Sequence, residues 1–298
     1  MQKIKMPLIV VAGPTASGKS DLAIRLARAF NGEIISADSR QVYRGMDIGT
    51  GKVSRRERRL ARHWLLDIAS PKRQYSVAQF QRRVRTVIRD LSRRGKVPII
   101  CGGTGFWIDA VVYDFKLPAV KPNPRLRARL SRLTTGKLFT MLAKLDPDRA
   151  STIDRNNPVR LIRALEIVLA SHQPVPRFVP SSPYRLLYLG VSRPWPTLKN
   201  RIEHRLDARL KTGMIAEIRR LHATGVSWKR LEAFGLEYRW IARFLQHRIE
   251  RSEMRRALLR DITRYAKRQY TWWRKNPDIV WVTSAPQARR LAREFLSQ

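Results

Sequence analysis

PLIVVAGPTASGKSDLAIRLARAF, residues Pro7 to Phe30, passes from six mostly apolar residues through a glycine-bounded turn into a segment with apolar residues at helical spacing. A continuous apolar run of that length suits a strand buried on both faces. Leu22, Leu26 and Ala29 recur every three or four residues, which predicts a helix. The turn between them, Gly13, Pro14, Thr15, Ala16, Ser17, Gly18, Lys19 and Ser20, has the spacing G-x-x-x-x-G-K-[ST]. Successive backbone N–H groups in such a turn wrap an anionic oxygen cluster, and the helix N-terminus adds positive potential. Lys19 reaches the outer phosphate, and the Ser20 hydroxyl is placed to ligate Mg2+. The motif asks for a diphosphate or triphosphate and does not say which.

Outward from this turn, GEIISA and KVPIICGG read as two further strands. Between them Val77, Phe80, Val84, Val87, Ile88 and Leu91 make the apolar stripe of a basic helix, with Gly95 as its C-cap. Strands alternating with helices predict an α/β fold, a P-loop NTPase-like parallel sheet flanked by helices. Near Lys116 the sequence becomes proline-broken and then helical only. Leu138, Met141, Leu142 and Leu145 mark one helix there. Leu161, Ile162, Leu165, Val168 and Leu169 mark another, opened by an Asn157 cap and Pro158. YRLLYLGV, from Tyr184, returns as a strand. The expected organisation is therefore an inserted all-helical domain, 116–184, within a core made of 1–115 and 185–298 whose C-terminal part is basic and helical.

The 298 residues include 61 Lys and Arg against 23 Asp and Glu, a formal charge of +38, while 43% are hydrophobic. That hydrophobic content fits a folded chain, and charge spread along its whole length predicts a polyanionic partner. Cys101 is the only cysteine, which excludes an internal disulfide and a cysteine-based zinc module. No apolar run approaches the ~18 residues of a membrane span. MQKIKMPLIVVAG runs straight into the motif and reads as a first strand, not a signal peptide, so the expected location is the cytoplasm, with no membrane contact.

Asp38, in SADSRQVYRG, follows the second predicted strand, which in a doubly wound sheet puts it at the ligand crevice. Three readings are open for it: a turn residue, a metal-associated acid, or a general base.

Nine strings stand in order from about Leu8 to Asn276: GPTASGKS, ISADSRQVYRGMDIGTGK, HWLLDI, YSVAQF, VPIICGGTGFW, RNNPVRLIRALEI, RIEHRLDARLKTG, FGLEY and TRYAKRQYTWWRKN. In that order they resemble the tRNA dimethylallyltransferases, also called tRNA isopentenyltransferases. The resemblance implies transfer of the dimethylallyl group of dimethylallyl diphosphate to N6 of the adenosine 3′ of the anticodon, in tRNAs reading codons that begin with U. It implies that the phosphate loop, with Mg2+, holds a leaving diphosphate and that no nucleotide is hydrolysed. Asp38 then falls on the family's catalytic acid and Thr104 on the threonine beside the reacting groups. Arg205, one turn from Arg201 and Arg209 and opposite a stripe of Leu198, Ile202, Leu206 and Leu210, falls where it can reach the diphosphate.

The same resemblance implies tRNA contacts from Asp38, Ser39, Arg40, Gln41 and Thr104, from Val159, Arg160, Leu161, Ile162 and Arg163 of the insert on the anticodon arm, and from Gly235. It implies further contacts from Lys267, Arg268, Gln269, Trp272 and Arg274. This last segment also reads independently as an RNA surface, because arginines that pair with phosphate alternate with rings that stack on unpaired bases. At least one of Trp272 and Trp273 is expected in the core. The chain departs from the family's usual strings at Phe106, Trp107, Trp64, Leu236 and Tyr238. Net repulsion and the resemblance favour a monomer. An adenylate isopentenyltransferase or a small-molecule kinase would share the first 40 residues, with less use for the basic C-terminus.

Overall fold

A computed structural model of the chain describes residues 5–177 and 180–298. The first four residues of the N-terminal segment, and Phe178 and Val179 of the proline-rich stretch, lie outside the described residues.

Among the described residues six strands form one parallel sheet: β1 (Pro7–Ala12), β2 (Gly32–Ser36), β3 (His63–Trp64), β4 (Val97–Gly102), β5 (Arg185–Val191) and β6 (Ile279–Val282), in the order β3-β2-β4-β1-β5-β6. Around it run α1 (Lys19–Ala29), α2 (Arg55–Leu60), α3 (Val77–Arg93) and α4 (Gly105–Val112). A second unit, Asp114–Ser181, carries α5 (Pro124–Leu130), α6 (Thr135–Leu145), α7 (Pro147–Thr152) and α8 (Pro158–Ser171). The first unit resumes with α9 (Trp195–Lys211), α10 (Met214–Ala223), α11 (Trp228–Phe234), α12 (Leu236–Leu245), α13 (Arg251–Arg274) and α14 (Ala285–Leu296).

In the first unit side chains alternate between two buried faces, as the apolar runs require. Ile9, Val11, Ile34, Ile99 and Leu189 pack with Leu22, Ala23, Leu26 and Ala27 of α1 and with Ala288, Ala292 and Phe295 of α14. Leu8, Val10, Ile35 and Ile100 point the other way and are equally buried. Ala29, which the sequence places in the α1 stripe, is exposed: the helix lies on the sheet through its alanine side, so Ala23 and Ala27 close the contact. Capping boxes at Ser54 and Ser76 start α2 and α3.

Strand order is what builds the site. β4 lies between β1 and β2, with Ala12 level with Gly102 and Ser36 level with Cys101. The loops leaving these three strands therefore emerge side by side at the sheet's C-terminal edge, where open α/β sheets bind ligands. A Cβ on Gly102 would collide with the Ala37 carbonyl, so only glycine lets these two exits approach this closely.

The second unit has its own core of Leu130, Leu138, Leu142, Leu161, Ala164 and Leu165. Leu145, expected in the α6 stripe, is instead 44% exposed at the helix end. Glu166 is buried there and accepts from the Asn123 N–H, Arg127 and Arg163. Burial alone would raise its pKa, yet these donors hold it down at about 2.

Candidate active site

The phosphate loop leaves β1 with Gly13 at φ 154°, Ala16 at φ 66° and Gly18 at φ 97°. Ala16 is the strained position of the three, since a non-glycine residue there disfavours the left-handed region. The Ser17 N–H is taken by Pro14 O and the Thr15 N–H by the Gln269 side chain. The N–H groups at the start of α1 remain for an anion. The Ser17 hydroxyl is buried with no partner among the described residues.

Four arginines surround this turn. Guanidinium nitrogens of Arg201 and Arg193 lie 3.9 and 4.0 Å from where a Cβ on Gly18 would stand. Arg205 lies over Gly51, and Arg209 donates to Gly49 O while pairing with Glu237 at 3.0 Å. In α9 Leu198, Ile202 and Leu206 are buried beneath this row, and Leu210 is only half-buried where the helix ends. Desolvation in the pocket, followed by the Arg209 and Arg201 charges, lowers the Arg205 pKa. Desolvation also lowers that of Lys19; Arg205 adds to the effect and Asp38 opposes it. Arg201 and Arg205, with Arg193 and Lys19 beside them, concentrate positive charge around the turn that a bound diphosphate would relieve.

Lys19, Ser20, Asp38, Gln41, Arg205 and Tyr265 line one chamber of about 100 Å3. It opens past Lys19, Ser20, Gly51 and Arg205 into a vestibule of about 990 Å3. The Ser20 hydroxyl meets the Cys101 thiol, which burial pushes up to about 11. Asp38 Oδ1 accepts the N–H groups of Arg40, at 2.9 Å, and Gln41, at 3.3 Å. The turn reading thus describes one oxygen; Oδ2 has no protein partner among the described residues. Thr104 stands at the N-cap of α4 but makes no capping bond with its side chain. Its Oγ1 instead accepts the Ser39 N–H at 3.0 Å, and it also meets the Tyr265 hydroxyl. Burial, then the Asp38 charge, push the Tyr265 phenol up to about 12.

The remaining expected contacts divide by exposure. Lys267, Arg268, Trp272 and Arg274 reach the surface of α13, with Arg274 4.5 Å over the Tyr270 ring. Gln269 does not: it is 6% exposed, with both ends of its amide bound to backbone. Trp273 is fully buried, so one tryptophan of the pair is core. Arg40 reaches Gly235 O at 3.4 Å, and Gly235, at φ 70°, is itself buried. In the second unit Val159 and Arg160 are exposed, whereas Leu161 is core and Ile162 half-buried. Arg163 is committed to Glu166 and Val120 O. The side chains of Leu161, Arg163 and Gln269 therefore serve the scaffold, because the helix faces that carry them turn inward.

Sequence reasoning did not place Glu217 at the site. Fully buried on α10, it accepts the N–H groups of Asp47, Ile48 and Gly49 and the Tyr238 hydroxyl, fixing the loop that roofs the chamber. A lone glutamate in an amphipathic helix gives no local signal of this. Tyr265 was visible only as one member of a helical face.

Residues 41–276 match the family model IPP transferase. The tRNA dimethylallyltransferase of Roseiflexus sp. (strain RS-1) is 41% identical over 98% of this chain and 99% of its own length. The tRNA dimethylallyltransferase 1 of Geotalea daltonii is 42% identical over 97% and 95%. The crystal structure of the full-length tRNA isopentenylpyrophosphate transferase from Bacillus halodurans superposes with a TM-score of 0.75 at 32% identity, over 98% of this chain and 97% of that one. A eukaryotic dimethylallyltransferase acting on tRNA shares the fold, with a TM-score of 0.82 at 24% identity over 98% and 80%. The loop Gly13–Ser20 and Asp38 precede the residues the model matches, but both fall within the full-length alignments to these relatives. On this agreement of sequence and topology, the chain belongs to the IPP transferase family.

Proposed function

We propose that this protein transfers the dimethylallyl group of dimethylallyl diphosphate to N6 of the adenosine 3′ of the anticodon, in tRNAs reading codons that begin with U. The observation that carries the reading is the shared chamber: the free oxygen of Asp38 faces the same space as Lys19 and Arg205 at the phosphate loop. An adenine amino group is a poor nucleophile because its lone pair is delocalised, and its proton becomes acidic only as the C–N bond forms. Asp38 orients that amine and accepts the proton, while Lys19, Arg205 and the α1 N-terminus take up charge growing on the departing diphosphate. Thr104 and Ser39 hold the adenine edge beside Asp38.

Among the described residues no three acidic, histidine or cysteine side chains gather as a metal cage. That fits Mg2+ carried on substrate phosphates, which keeps several waters and needs one or two protein oxygens. Ser20 supplies the hydroxyl that would hold it, and the ion when bound neutralises diphosphate charge. The exposed cations Lys267, Arg268 and Arg274, with Arg40, grip the tRNA, while Arg160 and Val159 of the helical insert meet the anticodon arm. The target base leaves its stack to reach the half-buried Asp38 carboxylate in the chamber. The protein acts as a monomer in the cytoplasm; among its described residues no helix is long and apolar enough to cross a membrane.

Labelled dimethylallyl diphosphate, Mg2+ and total tRNA, followed by nucleoside analysis, test the reading. Label in N6-dimethylallyladenosine beside the anticodon is expected. Label in free adenylate only, or phosphate release from ATP without tRNA, would overturn it.

A further inference from the structure

The amide of Gln269 joins two loops that belong to different substrates. Its Oε1 accepts the Thr15 N–H at 2.8 Å, inside the phosphate loop, and its Nε2 donates to Gly103 O at 2.7 Å, immediately before Thr104. The Gln amide presents a donor and an acceptor in one rigid plane at neutral charge, and Asn, which does the same, is one methylene shorter. The approach is close: a Cβ on Gly103 would collide with Gln269 Nε2, and one on Gly105 with the Trp272 ring. One turn along α13, Trp272 Nε1 donates to Asp109 Oδ2 at 2.8 Å, so the same helix face is locked twice to the strand exit that carries Thr104.

We propose that Gln269 is a positioning residue for the transfer. It sets the separation between the diphosphate cradle after β1 and Thr104 after β4, which in turn holds the Ser39 N–H after β2 and on which the acceptor adenine is aligned. The assignment rests on the proposed transferase reading and departs from the sequence expectation that Gln269 contacts tRNA. A reacting pair must approach within a fraction of an ångström of its productive geometry, so a slack link between the loops costs rate even with both substrates bound.

Two variants separate positioning from RNA contact. Gln269→Met keeps length and volume and removes both hydrogen bonds. Gln269→Glu, when ionised, keeps an acceptor for Thr15 but turns a carboxylate towards Gly103 O and sets a negative charge near the Lys19 side chain; when protonated, it can donate again and resembles Gln. In Gln269→Met the affinity for inorganic diphosphate is expected to weaken about tenfold, and kcat to fall about 10- to 100-fold. Its tRNA Kd is expected to stay within about twofold of wild type. Relative to wild type at each pH, Gln269→Glu recovers kcat as pH falls through its carboxyl pKa, and Gln269→Met does not. Wild-type diphosphate affinity together with a weakened tRNA Kd would overturn the proposal, as would wild-type kcat in both variants. Should Gln269→Met not fold, the pH-dependent recovery of Gln269→Glu decides alone. Should wild type itself transfer no dimethylallyl group, the function reading fails, and the diphosphate affinities still decide the role of Gln269.

Discussion

At the residue scale, the Asp38 carboxylate divides its oxygens between holding its own loop and facing the chamber. Asn at this position keeps an acceptor for the Arg40 and Gln41 N–H groups but cannot take a proton. Asp38→Asn is therefore expected to bind tRNA with wild-type affinity and to lose about 10²- to 10⁴-fold in kcat. Single-turnover transfer at the wild-type rate would remove Asp38 from its role. Asp38, Lys19 and Ser20 were legible because a contiguous motif and a strand end specify their surroundings. Gln269 and Arg163 were not. Each is a polar residue on an amphipathic helix, and whether it meets RNA or a buried backbone carbonyl depends on which element packs against that turn, which no local window contains.

Elements, taken singly, show buried acids at work as clamps. Asp109 on α4 accepts from Tyr188 of β5 and Trp272 of α13, and burial pushes it up to about 6 despite those two donors. Its folded pKa lies above the unfolded value, so the folded chain binds the proton more tightly. The stability this contributes is complete below about pH 4 and is lost as pH rises through about 6. Its size is at most about 3 kcal/mol. Asp109→Asn can accept from Trp272 and donate to Tyr188, so its melting temperature is expected to lack that decline between pH 4 and 6.5, and the comparison of the two profiles by calorimetry checks it. Glu217→Ala leaves three backbone N–H groups and a phenol unpaired. Urea unfolding is expected to show a loss of about 3 kcal/mol or more, with a raised KM for dimethylallyl diphosphate as the roof loosens. Among strands, β1, β2, β4 and β5 were legible as apolar runs. β3 has two residues and β6 four, below the length at which a period distinguishes strand from helix, and both are edges stabilised by pairing with a neighbour.

For the whole molecule, a charge of +38 turns salt into a control of encounter. Affinity for tRNA is expected to fall about 10³-fold or more between 50 and 200 mM salt. Lys267→Ala or Arg160→Ala is expected to lower the slope of log Kd against log salt by about one, whereas a merely general charge excess would leave the slope unchanged. Cys101, the chain's only thiol, donates to Lys19 O from beneath the phosphate loop and is buried and protonated in the wall of the chamber. A thiol reagent therefore reaches its target through the chamber that the diphosphate would fill, or when the loop lifts from β4. The rate of labelling becomes a stopwatch for access to that chamber, readable on unmodified protein. Diphosphate, by clasping the loop, is expected to slow it in step with occupancy, which makes substrate binding visible before any prenyl group has moved.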